Sequence, residues 1–203
     1  MNEVMETVGI FFGYAVLALF AQNAIFTRAL GVSRLVQLTG DNRTSSLLFG
    51  VLLCVTQVLL APLAWYLGGL AGRLGLGASA RPLVYVGCIA LVCLAEHLVL
   101  QLTNLPRKDQ LLRILPLAAL NSCVLGTVLI TRTQAFTLTQ SVGFGLGSGL
   151  GYILAVMLVT EAQTRLSNSQ TIPSAFRGLP ILLIYIGILA LAIYGFTGHT
   201  VIL

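Results

Sequence analysis

The chain has 203 residues, of which 57% are hydrophobic and only 8% charged, with a mean hydropathy of +0.97 and a formal net charge of +5. Soluble domains carry about 25% charged residues, so the composition excludes one and points to a membrane bundle. The bases lie in short loops, with no basic face interleaved with aromatics, which argues against nucleic acid as a partner.

The opening residues, MNEVMET, carry Glu3 and Glu6 and no base, the reverse of the basic start of a secretory leader. The first apolar run is therefore expected to stay as a helix. Six runs follow in order: Val8–Phe26, Ser45–Leu67, Pro82–Leu102, Ile114–Ile130, Gln140–Thr160 and Leu179–Phe196. Each is long enough, or nearly so, for a hydrocarbon core of about 30 Å. Strands of a barrel would alternate with period two, and LLFGVLLCVTQVLLAPLAW does not. The expected fold is all-α, with six transmembrane helices. Eight bases fall in the loops after the odd-numbered runs and three in the loops after the even-numbered ones. The positive-inside rule then puts both termini outside.

Six helices divide as three plus three, which permits an inverted repeat of residues 1–105 and 106–203 within one membrane domain. Run 1 carries Asn23 and run 4 carries Asn121, each deep in an apolar segment. Run 4 also contains Pro116 and Gly126, so it reads as a broken helix facing other helices. Matching interrupted segments point to a site at the midplane. The competing reading, at even weight, is that both asparagines are hydrogen-bond glue between helices. Run 5 holds two stripes of small residues, Gly143/Gly147/Gly151 and Gly145/Gly149, expected to let helices approach closely.

Run 3 contains Glu96 and His97, the only ionisable side chains well inside a run. A buried carboxyl there suits an ion or proton pathway, or equally a snorkelling pair with Arg107 or Lys108. No catalytic constellation is present: His199 lies in the tail, and the chain has no CxxC or HExxH. Cys54, Cys88, Cys93 and Cys123 all lie in apolar runs, which argues against a disulfide scaffold. The loop IPSAFRG (Ile172–Gly178) reads as a shaped cap or a partner contact.

In that order, LPLAALNSCVLG, QSVGFGLGSGLGYILAVML, IPSAFRG and GFTG resemble the Rnf/Nqr family of six-helix membrane subunits, in its A-type branch. The resemblance implies a subunit of an ion-translocating electron-transport complex of the ferredoxin/NAD type in the cell (inner) membrane, and no enzyme in isolation. It implies a sister six-helix subunit in opposite orientation, other Rnf-type subunits, and a [2Fe–2S] cluster shared between the two sisters near the midplane. It also implies electron flow coupled to Na⁺ or H⁺ movement, with Glu96 near the family's acidic residue at the end of the third helix. The family's first cysteine comes in a pattern like LGLC, where this chain reads LGVS and has Ser33. The second follows an asparagine, as TNCAVLG, where this chain reads NSCVLG and has Ser122, with Cys123 one residue later. Cys123 is the candidate metal ligand that remains. The alternative is a paralog without a cluster, acting as a structural partner subunit or a small six-helix transporter.

Overall fold

The computed structural model describes residues 2–39, 43–75, 77, 79–103, 106–167 and 172–197. Among them there are helices and turns and no strand. The helices are α1 (Asn2–Leu19), α2 (Val32–Thr39), α3 (Arg43–Arg73), α4 (Arg81–Leu102), α5 (Lys108–Ala119), α6 (Ser122–Thr133), α7 (Leu138–Ser167) and α8 (Leu179–Thr197). His199 and the last glycine of GFTG lie outside the described residues.

Runs 2, 3, 5 and 6 are continuous helices, as expected. Three of the helices, Ser46–Arg73, Arg81–Leu102 and Leu138–Ser167, are long and apolar enough to cross a bilayer alone. The pair α5–α6 makes a fourth span if counted as one, with a bend of 46° at its break, and Leu179–Gly195 is a shorter apolar helix. The exposed faces are apolar: Leu91, Leu94 and Leu98 on α4, and Leu183, Ile188 and Leu191 on α8 stand clear of the bundle. Such a surface suits hydrocarbon and not water.

Run 1 differs from its expectation. The helix stops at Leu19, not near Phe26, and the chain turns through residues 20–31 before α2 begins. Ala24, Ile25 and Phe26 are apolar but leave the helix and bury themselves, the last two at 2% and 5% exposure. Run 4 is interrupted as expected. Pro116 sits inside α5, α5 ends at Ala119, and Asn121 caps α6. Gly126 lies in the interior of α6 beneath Leu30, one turn past the break.

The centre of the bundle is α7, which packs against both α1 and α3. Its two glycine stripes take different partners. A Cβ at Gly143 or Gly147 would meet the carbonyl oxygen of Phe11 at 2.4 Å or of Ala15 at 2.0 Å, on α1. A Cβ at Gly149 would lie 2.6 Å from Cys54 Cα, on α3. Lipid is as apolar as a leucine side chain, so helices in a bilayer hold together by close contact of this kind.

Candidate functional site

The two interrupted segments meet, and each is organised by its asparagine. After α1, the Asn23 side chain accepts from the backbone N–H groups of Ile25 (3.0 Å) and Phe26 (3.3 Å). Its amide nitrogen donates to the carbonyls of Leu19 (2.9 Å) and, across to α7, Gly151 (3.2 Å). Between α5 and α6, the Asn121 side chain accepts from the Cys123 N–H at 2.8 Å. Asn121 is the N-cap of α6, and Asn23 does the equivalent work in the turn after α1, its oxygen taking two turn N–H groups and its amide the Leu19 carbonyl that the helix end leaves free. Both asparagines are buried.

The turn after α1 is laid directly on the second break. The Gly31 N–H donates to Ser122 Oγ at 3.0 Å. Gly31 has φ +79°, and a Cβ there would come within 3.0 Å of Asn121 Oδ1 and of the Tyr152 ring, so only glycine suits the position. This contact brings Ser33 of α2 and Ser122 of α6 to one open pocket of about 420 Å³. Arg34, Gln37, Leu120 and Asn121 also line it. Arg34 donates to Gln37 Oε1 at 2.8 Å, and its guanidinium carbon lies 5.6 Å from the centre of the Phe49 ring.

Cys123 points elsewhere. Successive residues of a helix are turned by about 100°, so Ser122 is exposed at the pocket while Cys123, at 0% exposure, faces the interior. There Gln57 Nε2 of α3 donates to Cys123 Sγ (3.5 Å), Thr127 Oγ1 (3.2 Å) and Ser148 Oγ of α7 (3.3 Å). Thr127 and Ser148 share a further hydrogen bond of 2.8 Å. This knot joins three helices in a place where water cannot substitute. Sequence reasoning missed it. The signal was present as Gln57 in the middle of an apolar run and Ser148 among glycines.

Glu96 is buried against α3. Its Oε2 accepts from the Thr56 hydroxyl at 2.8 Å, and Oε1 has no partner. The snorkelling arrangement with loop bases is not what the structure holds: Lys108 donates to the Gln101 carbonyl, and among the described residues no base reaches Glu96. His97 instead lies 3.0 Å from the Gln101 side chain. The loop Ile172–Gly178 is held by Arg177, which donates to the Ile172 carbonyl at 3.0 Å.

A membrane chain with two capped breaks meeting at LGVS and NSCVLG matches one family along most of its length: residues 11–200 fit the family described as Rnf-Nqr subunit, membrane protein. The chain belongs to the Rnf-Nqr family. The A-type subunit of the ion-translocating oxidoreductase complex of Pasteurella multocida is 41% identical over 119 residues, which is 58% of this chain and 61% of that protein. The protein of the same name in Syntrophotalea carbinolica is 32% identical over 189 residues, covering 89% of this chain and 93% of the relative. The A-type subunit of the Na⁺-translocating ferredoxin:NAD⁺ oxidoreductase complex of Acetobacterium woodii is 31% identical over 185 residues, with the same coverage. Against the Pasteurella relative, the match spans less than two thirds of the relative's length.

Within an Rnf-Nqr chain, the chemistry at the meeting point of the breaks is polar but carries no thiol. Ser33, Arg34, Gln37, Asn121 and Ser122 form the polar lining of the pocket, and among the described residues no three His, Cys, Asp or Glu side chains converge to hold a metal.

Proposed function

We propose that this chain is an A-type membrane subunit of an ion-translocating oxidoreductase complex, seated in the cell (inner) membrane and working with the other subunits of that complex. Family membership over residues 11–200 carries the reading. The names of the Pasteurella and Acetobacterium relatives supply the activity, electron transfer linked to ion translocation. The finer architecture proposed is six spans in a 3+3 inverted repeat with both termini outside. It is supported by the loop charges and by the shared capping pattern of Asn23 and Asn121, one in each half. A sister six-helix subunit of opposite orientation would complete the pair. Glu96, buried on α4 with one free carboxylate oxygen, is the candidate for Na⁺ or H⁺ passage.

The test is purification of the tagged chain from its own membranes in mild detergent. Recovery of a sister six-helix subunit with flavoprotein and ferredoxin-like subunits is expected. Deletion of the chain is expected to abolish ion uptake driven by electron donors in inverted vesicles. A chain recovered alone, whose deletion leaves that uptake intact, would remove the assignment. Single cysteines placed in the N-terminal tail and in the loop after α2 would test the sidedness: impermeant reagents applied from outside should label the tail and not the loop. The second reading, a paralog kept as a structural partner or small transporter, is favoured by one observation, the hydroxyls at Ser33 and Ser122.

A further inference from the structure

The cluster that the family resemblance implies needs thiolate ligands, and the pocket at the two breaks tests whether this chain has them. Ser33 and Ser122 are 89 positions apart in sequence, yet both line the same pocket. The fold thus brings to one pocket the two positions that the resemblance matches to the family's cysteines. A serine hydroxyl gives up its proton far less readily than a thiol. Ser122 Oγ is in addition already engaged as acceptor for the Gly31 N–H. Of the other polar groups, the Arg34 guanidinium offers only donors and a fixed positive charge, and the Gln37 and Asn121 carboxamide oxygens already accept from Arg34 and the Cys123 N–H.

No other thiol reaches the pocket. Cys123 is the nearest in sequence, and its Cβ lies close to Gly31, but the residue is fully buried and its Sγ sits in the knot with Gln57, Thr127 and Ser148, outside the pocket lining. Turning it outward would rotate α6 by about 100°, breaking the Asn121 cap and the bonds from Gln57 together. Cys54 is packed at the α3–α7 contact opposite Gly149, and Cys88 and Cys93 lie on α4, where neither lines the pocket.

We infer that this chain supplies no ligand to an iron–sulfur cluster: the converging pair Ser33 and Ser122 has replaced a ligand pair, and Cys123 is a packing residue. The chain then serves its complex as a membrane scaffold and ion-path subunit, and electrons cross the membrane elsewhere. This rests on the subunit reading above.

The experiment uses the full chain, tagged and co-purified with its sister subunit. Iron per pair, visible absorption and the EPR spectrum after reduction are compared for the unaltered chain, S33A/S122A/C123A and S33C/S122C. The triple variant is expected to leave the iron content unchanged. S33C/S122C, two near-isosteric changes, is expected to add about two irons per pair and an EPR signal of a reduced [2Fe–2S] centre. Iron that disappears in the triple variant, or in Cys123→Ala alone, while the pair still co-purifies would overturn the inference. So would an assembled S33C/S122C pair that gains no iron. Absence of any sister subunit would instead contradict the subunit reading. Iron would then be measured on the chain alone, where thiol-dependent iron overturns the inference and iron-free protein upholds it.

Discussion

Replacing Gly147 with alanine puts one methyl group where the structure has no room for it. The new Cβ would lie 2.0 Å from the Ala15 carbonyl oxygen, 2.7 Å from its carbonyl carbon and 2.8 Å from its Cα. All three are backbone atoms of α1, so no side chain can swing aside. Ordinary contacts lie at about 3.5–4.0 Å, and α1 must therefore back away from α7 by roughly 1–2 Å. Overpacking of this kind costs about 1–3 kcal/mol, and rigid backbone on both sides places this case at the upper end. Alanine also gains about 0.5–1 kcal/mol over glycine inside a helix, which opposes the loss. Gly187→Ala in α8 cancels that term, because a Cβ there meets nothing within 4 Å. The difference between the two variants isolates the steric cost. It can be read in detergent by heating with a thiol-reactive fluorophore, since Cys88 and Cys123 are 1% and 0% exposed and react when the bundle opens. Gly147→Ala is expected to open at a clearly lower temperature than Gly187→Ala. Gly126→Ala, whose Cβ would meet only the Leu30 Cδ1 end at 2.3 Å, should fall between them. If Gly147→Ala and Gly187→Ala open together, α1 does not lie on the Gly143/Gly147 stripe.

Further outcomes are expected at the polar positions. Asn23→Ala deletes a carboxamide with four backbone partners and should cost about 2–3 kcal/mol; Asn121→Ala loses one cap bond, and about 1 kcal/mol. The same thermal assay ranks the two, and the opposite order would contradict the account of the breaks. Thr56→Val strips Glu96 of the one hydroxyl donated to it and should destabilise by about 1–3 kcal/mol. Glu96→Gln keeps the shape and an acceptor for Thr56, so the chain should fold and assemble while ion uptake by vesicles falls. Uptake unchanged in Glu96→Gln would take Glu96 out of the pathway. Gln57→Leu unties the knot between α3, α6 and α7 and leaves the Thr127 and Ser148 hydroxyls to each other. Faster labelling of Cys123 by a permeant thiol reagent is expected, and a labelling rate like that of the unaltered chain would argue against the knot.

Much of the architecture is written in the residues themselves. A chain this apolar must satisfy its backbone within helices, and the runs at α3, α4 and α7 show it by length alone, with α8 a shorter apolar helix. The glycine stripes of α7 are legible because helical period maps sequence spacing onto faces, and each stripe does take a separate neighbour. Pro116 and Asn121 announce the second break because one lacks a donor and the other supplies a cap. The first break is not legible in the same way. Ile25 and Phe26 are as apolar as the helix before them, and the turn that follows Leu19 is tied to Gly151, 128 residues away from Asn23, by a contact no local pattern records. The same holds for the site. Composition and spacing mark Ser33, Ser122, Gln57 and Ser148 as polar residues in apolar surroundings. Only the packing of α2 on α7 and the seating of Gly31 on Ser122 bring Ser33 and Ser122 to one pocket, and only the turn of α6 sends the Cys123 thiol to Gln57. Local sequence decides where a helix forms and, at Pro116 and Asn121, where one breaks. Which side chains then share a pocket depends on contacts between segments distant in the chain, and no local pattern records those.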